Sequence, residues 1–383
     1  MSSVAHMIGH LRLGAGKHIL ETALEQHRRG WKVEVFVSPD IDANWRTDPG
    51  MLEELLDHGI GFDCPGNFFS RDLAGLLSAA EALRQRWGDH SRMPIIHAHS
   101  AIPAAVGRWS GARRVIATCH GMAPERDSAF KLQDALAYRS ADSVISPSSY
   151  WAQIIQRDYG VPNVAVVPYG LDLKKYPVFP VGVQKQGVPY RILVLCELTR
   201  RKGVDLLLDA VPQVIQCVEK AEFHIFGSGD AEEALKKQAC ELSEGGDRVF
   251  FHGRVEWPYP HFPDFDLLCL PTRSDNMPLA IMEAMLAGLP VLSTRVGGIP
   301  EIVEKSGCGV LAAPDCASNL ADKMIRILNL GRAELLDKGK KGFDWARQRF
   351  DVSSCVDSLE SLYCGEDSAV ENPGDCDLQR HIS

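Results

Sequence analysis

Short apolar runs alternate with stretches of helical length along most of this chain, and no other feature constrains its fold as strongly. VAHMI (4–8), KVEVFV (32–37), IIHAH (95–99), RVIAT (114–118) and SVISP (143–147) are near-continuous rather than alternating in polarity. That is the pattern of strands buried on both faces of a parallel sheet. Between them lie HILETALEQHRRG, ending at Gly30, DLAGLLSAAEALRQRWG, ending at Gly88, and the shorter AAVGRWSG and SSYWAQIIQRDYG. A glycine after a helix takes the left-handed cap without a Cβ penalty. Parallel strands need crossovers and these helices supply them, so the alternation predicts a doubly wound α/β domain.

The rhythm breaks at 171–189, a Pro-containing stretch with no helical period, which reads as a linker. It restarts with RILVLCEL (191–198) and continues through EFHIFGSG, RVFFHGRV, DLLCLPT, LPVLSTR and CGVLAAP. The 383 residues therefore divide into an N-terminal domain over 1–170 and a second α/β domain over 190–343. A last helical stretch, 344–363, is followed by a polar tail, 364–383, expected to be disordered. In such folds ligands bind outside the carboxyl ends of the strands, so the two sheets are expected to face a common cleft.

Charge narrows the partners. The formal charge is −9, and residues 1–180 are balanced, so the deficit lies wholly in the second part. No Lys/Arg run offers a nucleic-acid footprint, and an anionic membrane is disfavoured for the same reason. The 11 cysteines form no CxxC pair; Cys196, Cys217 and Cys269 sit in apolar runs and read as small buried hydrophobes. With no run of about 20 apolar residues and no signal-peptide pattern at the start, a cytoplasmic protein is expected.

Three stretches could carry chemistry. In LRLGAGKH, after the first strand, Gly14 and Gly16 would let the backbone approach an anion at a helix N-terminus, or simply make a tight turn. In ELTRRKGVDLLLDAV, Lys202 stands where strand turns to helix, with Arg200 and Arg201 beside it, well placed for a phosphate or merely solvated. In LPTRSDNMPLAIMEAMLAGLP, Pro278 fits the first helical turn, with Asp275 or Asn276 as N-cap and Gly288 closing the helix. Glu283 lies among apolar neighbours and must be paired or bound to ligand hydroxyls. His97, His99 and His120 stand at strand ends, where a histidine meets a substrate hydroxyl about as often as it fills a structural role. They lack metal-ligand spacing, and no Ser/His/Asp triad, P-loop or HExxH site is present.

These stretches, in this order, resemble the retaining glycosyltransferases of family four, whose fold is GT-B: α/β, two doubly wound Rossmann-like domains facing a central cleft. The likeness runs from LRLGAGKH to the helix ending near Tyr363. It includes IIHAHS, ATCHG, PYGLD (168–172), RRKG (200–203), FGSGD (226–230), HGRV (252–255), the segment 275–283 and VGGIPEIV (296–303). The resemblance implies a nucleotide-sugar donor in the second domain and an acceptor hydroxyl in the first. Glu283 resembles the acid on the ribose hydroxyls and Lys202 the diphosphate-neutralising lysine, with Arg201 adjacent. The backbone of Asn276, Met277, Pro278 and Leu279 would face phosphate or sugar. The main chain at Val255 would meet the base, Asp275 would contact the donor sugar, and Gly14 and Gly16 would approach the diphosphate from the other domain. His120, Lys202 and Asp275 are the implied catalytic residues. The 344–363 helix would return to the first domain.

The expected reaction is transfer from a UDP-sugar such as UDP-glucose or UDP-N-acetylglucosamine to a small polar or glycan acceptor, by front-face displacement with retention. No cofactor is expected and no metal, because lysine and helix ends stand in for one. The acceptor would bind near loops 40–50, 62–72 and 121–131, which hold Trp45, Arg46, Asn67, Phe68, Phe69, Arg71, Arg126 and Asp127. Two departures matter: Cys196-Glu197-Leu198 stands where the family often has Gly-Arg-Leu, so an acid replaces a phosphate-binding arginine, and Asp275 stands where the family usually has Glu, which shortens the reach by about one methylene. Two alternatives follow, another GT-B enzyme such as an epimerase or phosphorylase, and a nucleotide-sugar-binding protein without turnover, which Glu197 favours.

Overall fold

A computed structural model of the chain describes residues 2–41, 46–68, 70–88, 93–121, 127–179 and 189–365. The chain divides into two compact units, Met1–Asp172 with Phe350–Ser383, and Leu173–Arg349. The expected tail and most of the second half of the expected linker lie outside the described residues.

The first unit runs β1 (Ser3–Ile8), α1 (Leu13–Arg28), β2 (Lys32–Val37), α2 (Pro49–Asp57), β3 (Gly61–Asp63), α3 (Leu73–Trp87), β4 (Ile95–Ala98), α4 (Ala101–Trp109), β5 (Val115–Thr118), α5 (Ser128–Arg139), β6 (Ser143–Ser146), α6 (Ser149–Tyr159) and β7 (Val164–Val166). Its seven strands are ordered β3-β2-β1-β4-β5-β6-β7, and the pairings are parallel. The second unit runs β8 (Tyr190–Leu195), α7 (Val204–Cys217), β9 (Ala221–Phe226), α8 (Glu232–Cys240), β10 (Val249–Gly253), β11 (Leu267–Leu270), α9 (Leu279–Leu286), β12 (Val291–Thr294), α10 (Ile299–Ser306), β13 (Gly309–Ala312), α11 (Ala317–Asn329) and α12 (Arg332–Arg349). Its sheet is ordered β10-β9-β8-β11-β12-β13. Both orders reverse direction once, between β1 and β4 and between β8 and β11, and that switch point opens a crevice at the carboxyl ends of the strands.

The strands are buried on both faces, as their apolar runs require. In the first unit the pleat sends Ala5, Met7, Ile96, Ala98, Val115 and Ala117 into the core lined by α3 and α4. Val4, Ile8, Ile95 and Ile116 go to the opposite core, with Ile19, Leu20 and Ala23 of α1. By the two-residue period, His6, His97 and Thr118 fall on that second face.

The helical stretch expected over 344–363 is broken at Phe350 and Asp351. The return to the first unit is made by α13 (Val352–Cys364), while residues 344–349 finish α12 in the second unit. Leu171 of the PYGLD stretch bridges to Asp351: its N–H donates to the Phe350 carbonyl at 2.8 Å, and Val352 N–H donates back to Leu171 at 3.0 Å. Arg29 then reaches Asp357 at 2.6 Å, Glu360 at 3.2 Å and the Ser353 carbonyl at 2.8 Å. Under these polar pins Cys355, Leu359, Leu362 and Tyr363 complete the core that α1 lines. Replacing Leu359 with alanine should therefore cost the first unit about 2–5 kcal/mol, as large-to-small changes in a closed core do. Urea unfolding of the full chain measures it; a loss below about 1 kcal/mol would mean that α13 is not part of that core.

Candidate active site

In the second unit the switch point is lined by the loops after β8 and β11. The first ends in a single 3-10 turn, Arg200–Lys202, followed by Gly203 with φ of 70°. A Cβ on Gly203 would lie 2.0 Å from the Pro271 carbonyl oxygen, so the loop after β8 can press against the loop after β11 only with glycine here. Arg273 N–H donates to the Arg201 carbonyl at 2.8 Å, and the Arg201 guanidinium donates to the Ser274 carbonyl at 2.9 Å. Arg273 also grips Asp205, at the head of α7, through two bonds of 2.7 Å. Between these loops the Lys202 ammonium donates to Asp275 Oδ2, and both side chains are largely buried. Arg201 stands 3.8 Å from the same carboxylate.

Pro278 is the N-cap of α9 rather than its first helical residue, and no side chain caps the helix. Neither Asp275 nor Asn276 has the capping role expected of it. Asp275 is drawn to Lys202 instead, and the Asn276 carbonyl accepts from Gly298 N–H at 3.0 Å. Asn276, Met277 and Leu279 are buried. Glu283, on the fifth residue of α9, is 8% exposed and accepts from the Tyr176 hydroxyl at 3.3 Å. Tyr176 lies inside the stretch read as linker; an aromatic residue among prolines gave no signal of a partner more than a hundred residues away. Val255 follows the turn at Gly253 (φ 70°) and is half-buried, as is Glu197.

In the first unit, Gly14 and Gly16 lie in the first turn of α1. A Cβ on Gly16 would come 2.9 Å from the Leu11 carbonyl carbon and 3.1 Å from Met51 Sδ, so this glycine packs the turn against its own strand end. His120 follows β5 and is joined on both sides: its Nε2 is 2.9 Å from His99 Nδ1, and its Nδ1 is 2.6 Å from the Tyr169 hydroxyl. Behind it His6 Nδ1 lies 2.9 Å from His99 Nε2, and His97 contacts Thr118 and Tyr363. Burial pushes His6 and His18 down to about 4 and His120 to about 3, and holds His97 and His99 well below the ordinary histidine range. Among the described residues, His6, His97 and His99 form the group whose ligand atoms come within metal-binding reach of one another, 4.8 Å. Spacing alone did not reveal it, because His6 comes from a different strand and meets His97 only through the register of β1 on β4.

Among the described residues of the loops expected to hold the acceptor, Arg46 is exposed and four others have structural roles. Phe68 is fully buried, Asp127 caps α5, Asn67 accepts from Ser70 N–H at 2.9 Å, and Arg71 pairs with Asp134 at 2.7 Å. Trp45, Phe69 and Arg126 lie outside the described residues. Of the three cysteines read as buried, Cys217 is exposed near the end of α7, where the apolar run has left the sheet-facing stripe.

Two doubly wound units, each with a switch-point crevice, define the GT-B fold, and comparisons with known proteins agree. "Glycosyltransferase Family 4" matches residues 13–175 and "Glycosyl transferases group 1" matches 189–330. A GDP-mannose-dependent alpha-(1-6)-phosphatidylinositol monomannoside mannosyltransferase of Mycobacterium tuberculosis is 27% identical over 293 residues, 70% of this chain and 74% of that protein. A D-inositol 3-phosphate glycosyltransferase of Geodermatophilus obscurus is 25% identical over 91% of this chain and 84% of its own. Among solved structures, Anabaena Alr3699/HepE in complex with UDP superposes with a TM-score of 0.78 at 20% identity, covering 95% of this chain and all of that one. Sucrose-phosphate synthase of Thermosynechococcus elongatus gives 0.78 at 21% identity, covering 95% and 99%. The protein is thus a glycosyltransferase that uses a nucleotide-sugar donor. It belongs to the family 4 type with the GT-B fold.

The depressed histidines fix the sign of a pH dependence. His6 and His18 bind protons at an ordinary 6.5 when unfolded and only near 4 when folded. Their contribution is therefore complete above pH 6.5 and is lost as pH falls toward 4, by about 2 kcal/mol for each at pH 5. Urea unfolding at pH 7 and pH 5 should show this drop in the first unit, and a flat profile would mean that the row protonates without opening.

Proposed function

We propose that this chain transfers a hexose from a nucleoside-diphosphate sugar to a hydroxyl of a glycan acceptor, free or lipid-linked, with retention at the anomeric carbon. The observation that carries the donor reading is Lys202, held by Asp275 between the loops of two adjacent strands and beside the uncapped start of α9. An ammonium next to free helix N–H groups suits a diphosphate and can stabilise it as charge develops on leaving. Lys202 and α9 supply the positive field that a metal ion gives other transferases, so the reaction is expected to proceed without one. Glu283 is suited to ribose hydroxyls, because a buried carboxylate accepts two or more hydrogen bonds. Asp275 is placed for the donor sugar, His120 for a sugar hydroxyl, and the main chain at Val255 for the base.

The expectation of a UDP-sugar competes with GDP-mannose, which the mycobacterial relative's name specifies, so both nucleotides belong in the test. A lipid-linked acceptor is favoured by that relative and by one observation here. Helix α3 buries Leu76, Ala79, Ala80 and Leu83 but leaves Leu73 60% and Leu77 51% exposed.

Calorimetry with UDP, GDP and ADP, followed by hydrolysis of UDP-glucose, UDP-N-acetylglucosamine and GDP-mannose with and without EDTA, tests the donor reading. One nucleotide should bind, and its sugar should be hydrolysed equally in EDTA; if none of the three binds, the reading fails. Lys202→Ala and Glu283→Ala should each weaken that nucleotide about 10–100-fold, the worth of a charged hydrogen bond. His120→Ala should lower turnover with little change in affinity. Unchanged affinity in both of the first two variants would remove the site assignment.

A further inference from the structure

The histidines of the first unit do more than lie close together. Seven hydrogen bonds link Tyr169, His120, His99, His6, Gln26, Tyr363, His97 and Thr118 in one unbranched line, with lengths between 2.6 and 3.1 Å. A neutral imidazole has one donor nitrogen and one acceptor nitrogen, so the direction of one bond in such a line sets all the others. Gln26 supplies that direction. Its amide oxygen lies 2.7 Å from His6 Nε2, and its amide nitrogen donates to the Tyr363 hydroxyl at 3.1 Å. His6 must then carry its proton on Nε2 and accept at Nδ1 from His99 Nε2–H. His99 in turn accepts at Nδ1 from His120 Nε2–H. His120 is left with Nδ1 as an acceptor, which the Tyr169 hydroxyl fills at 2.6 Å. On the other side Tyr363 donates to His97 Nδ1, and His97 Nε2–H donates to Thr118.

We infer that Gln26, His6 and His99 are positioning residues that hold His120 in its Nε2–H form, so that Nδ1, which meets the Tyr169 hydroxyl here, is the acceptor nitrogen offered to a substrate hydroxyl. The rings are stacked as well as bonded. His99 lies nearly parallel to both His6 and His120, at 20° and 21° with centroids 5.2 Å apart, so none of them can turn alone. Among the described residues, Tyr169 is the hydrogen-bond partner of His120 on the far side. His18 stacks on Tyr169 at 4.4 Å and approaches the His120 ring edge-on at 6.2 Å. A sugar hydroxyl that replaces the tyrosine hydroxyl would donate into the same lone pair. Part of this inference, the effect on turnover, rests on the role given to His120 above; the protonation pattern does not.

The bonding also weighs against a metal centre at His6, His97 and His99. A ligand nitrogen needs its lone pair free for the ion, whereas here His6 and His99 are bonded to one another and the two nitrogens of His97 are taken by Tyr363 and Thr118.

The full chain labelled with 15N-histidine, without ligand at pH 7, gives a direct reading from long-range nitrogen–proton correlations. His120 should appear as the neutral Nε2–H form. In Gln26→Leu the acceptor for His6 Nε2–H is gone and the line is free to reverse, so at least half of His120 should move to the Nδ1–H form. His6→Phe, which orphans His99 Nε2–H, should do the same and serves if the first variant fails to fold. An Nδ1–H signal in the unsubstituted protein, or an unchanged His120 in a folded variant, would overturn the inference. So would one equivalent of zinc that survives dialysis and shifts His6, His97 and His99 together. With UDP-glucose or GDP-mannose, whichever is hydrolysed, the variants should lose at least tenfold in kcat per folded molecule, the folded fraction being taken from circular dichroism, while KM stays within twofold; a kcat within twofold of the unsubstituted protein would overturn the role in turnover. If neither sugar is hydrolysed by the unsubstituted protein, the donor reading fails while the nitrogen spectra still decide the line.

Discussion

Strands buried on both faces leave no water for a polar side chain, so every such group placed in these sheets must find its partner inside the protein. The first unit puts His6 and His97 at paired positions in the middle of its sheet, where the neighbouring residues on the same face are Val4, Ile8, Ile95 and Ile116. The demand is met from two helices far apart in the chain, by Gln26 of α1 and Tyr363 of α13. The return of α13 after Phe350 is therefore a condition for burying the histidines as well as for closing the apolar core. Arg29, Trp31 and Arg114 hold it from three sides, Trp31 through Glu360 at 2.8 Å and Arg114 through the Leu362 carbonyl.

Much of the architecture was legible in the sequence because apolar runs of strand length have few alternatives when glycines separate them from helical stretches. KVEVFV is β2 residue for residue, and the remaining quoted runs contain or overlap the observed strands. The segments not singled out were α2, β3, α5, β7, α8 and α11; β3 and β7 are three residues each and take their shape from pairing rather than from periodicity. The expected cap of α9 failed for a physical reason. Asp275 had an alternative partner in Lys202, and a charged bond between two largely buried groups outweighs a cap worth about 1 kcal/mol.

The site divided in the same way. Lys202, Asp275 and Glu283 could be picked out because charge at a strand-to-helix turn, or inside an apolar helix, is costly without a purpose. Their mutual geometry could not, since Lys202 and Asp275 meet only through the adjacency of β8 and β11. The histidine line was less legible still. Each member is an ordinary residue in an ordinary strand or helix, and its meaning lies in register: β1 on β4 pairs His6 with His97, and β4 on β5 brings the His99 and His120 ends together. Tyr176 carries no sequence signal beyond being aromatic, and Tyr169 is marked only by its place in the PYGLD stretch.

Charge ties the two units to one function. The second unit, residues 173–349, holds 23 Lys and Arg against 23 Asp and Glu, so it offers no net positive field to an anionic donor. The local arrangement answers this in two ways. Arg273 is spent on Asp205 and Asp315, which neutralises acids flanking the loop. Lys202 is paired with Asp275, so the charge of each is balanced by the other. A diphosphate carries more charge than one carboxylate and would compete for that ammonium, leaving Asp275 to accept from a sugar hydroxyl in the same crevice. Attraction confined to so few groups is short-ranged and poorly screened by salt compared with a basic surface. An arrangement of this kind would favour an anion that fits the loop over anions in general, whatever the net charge of the protein.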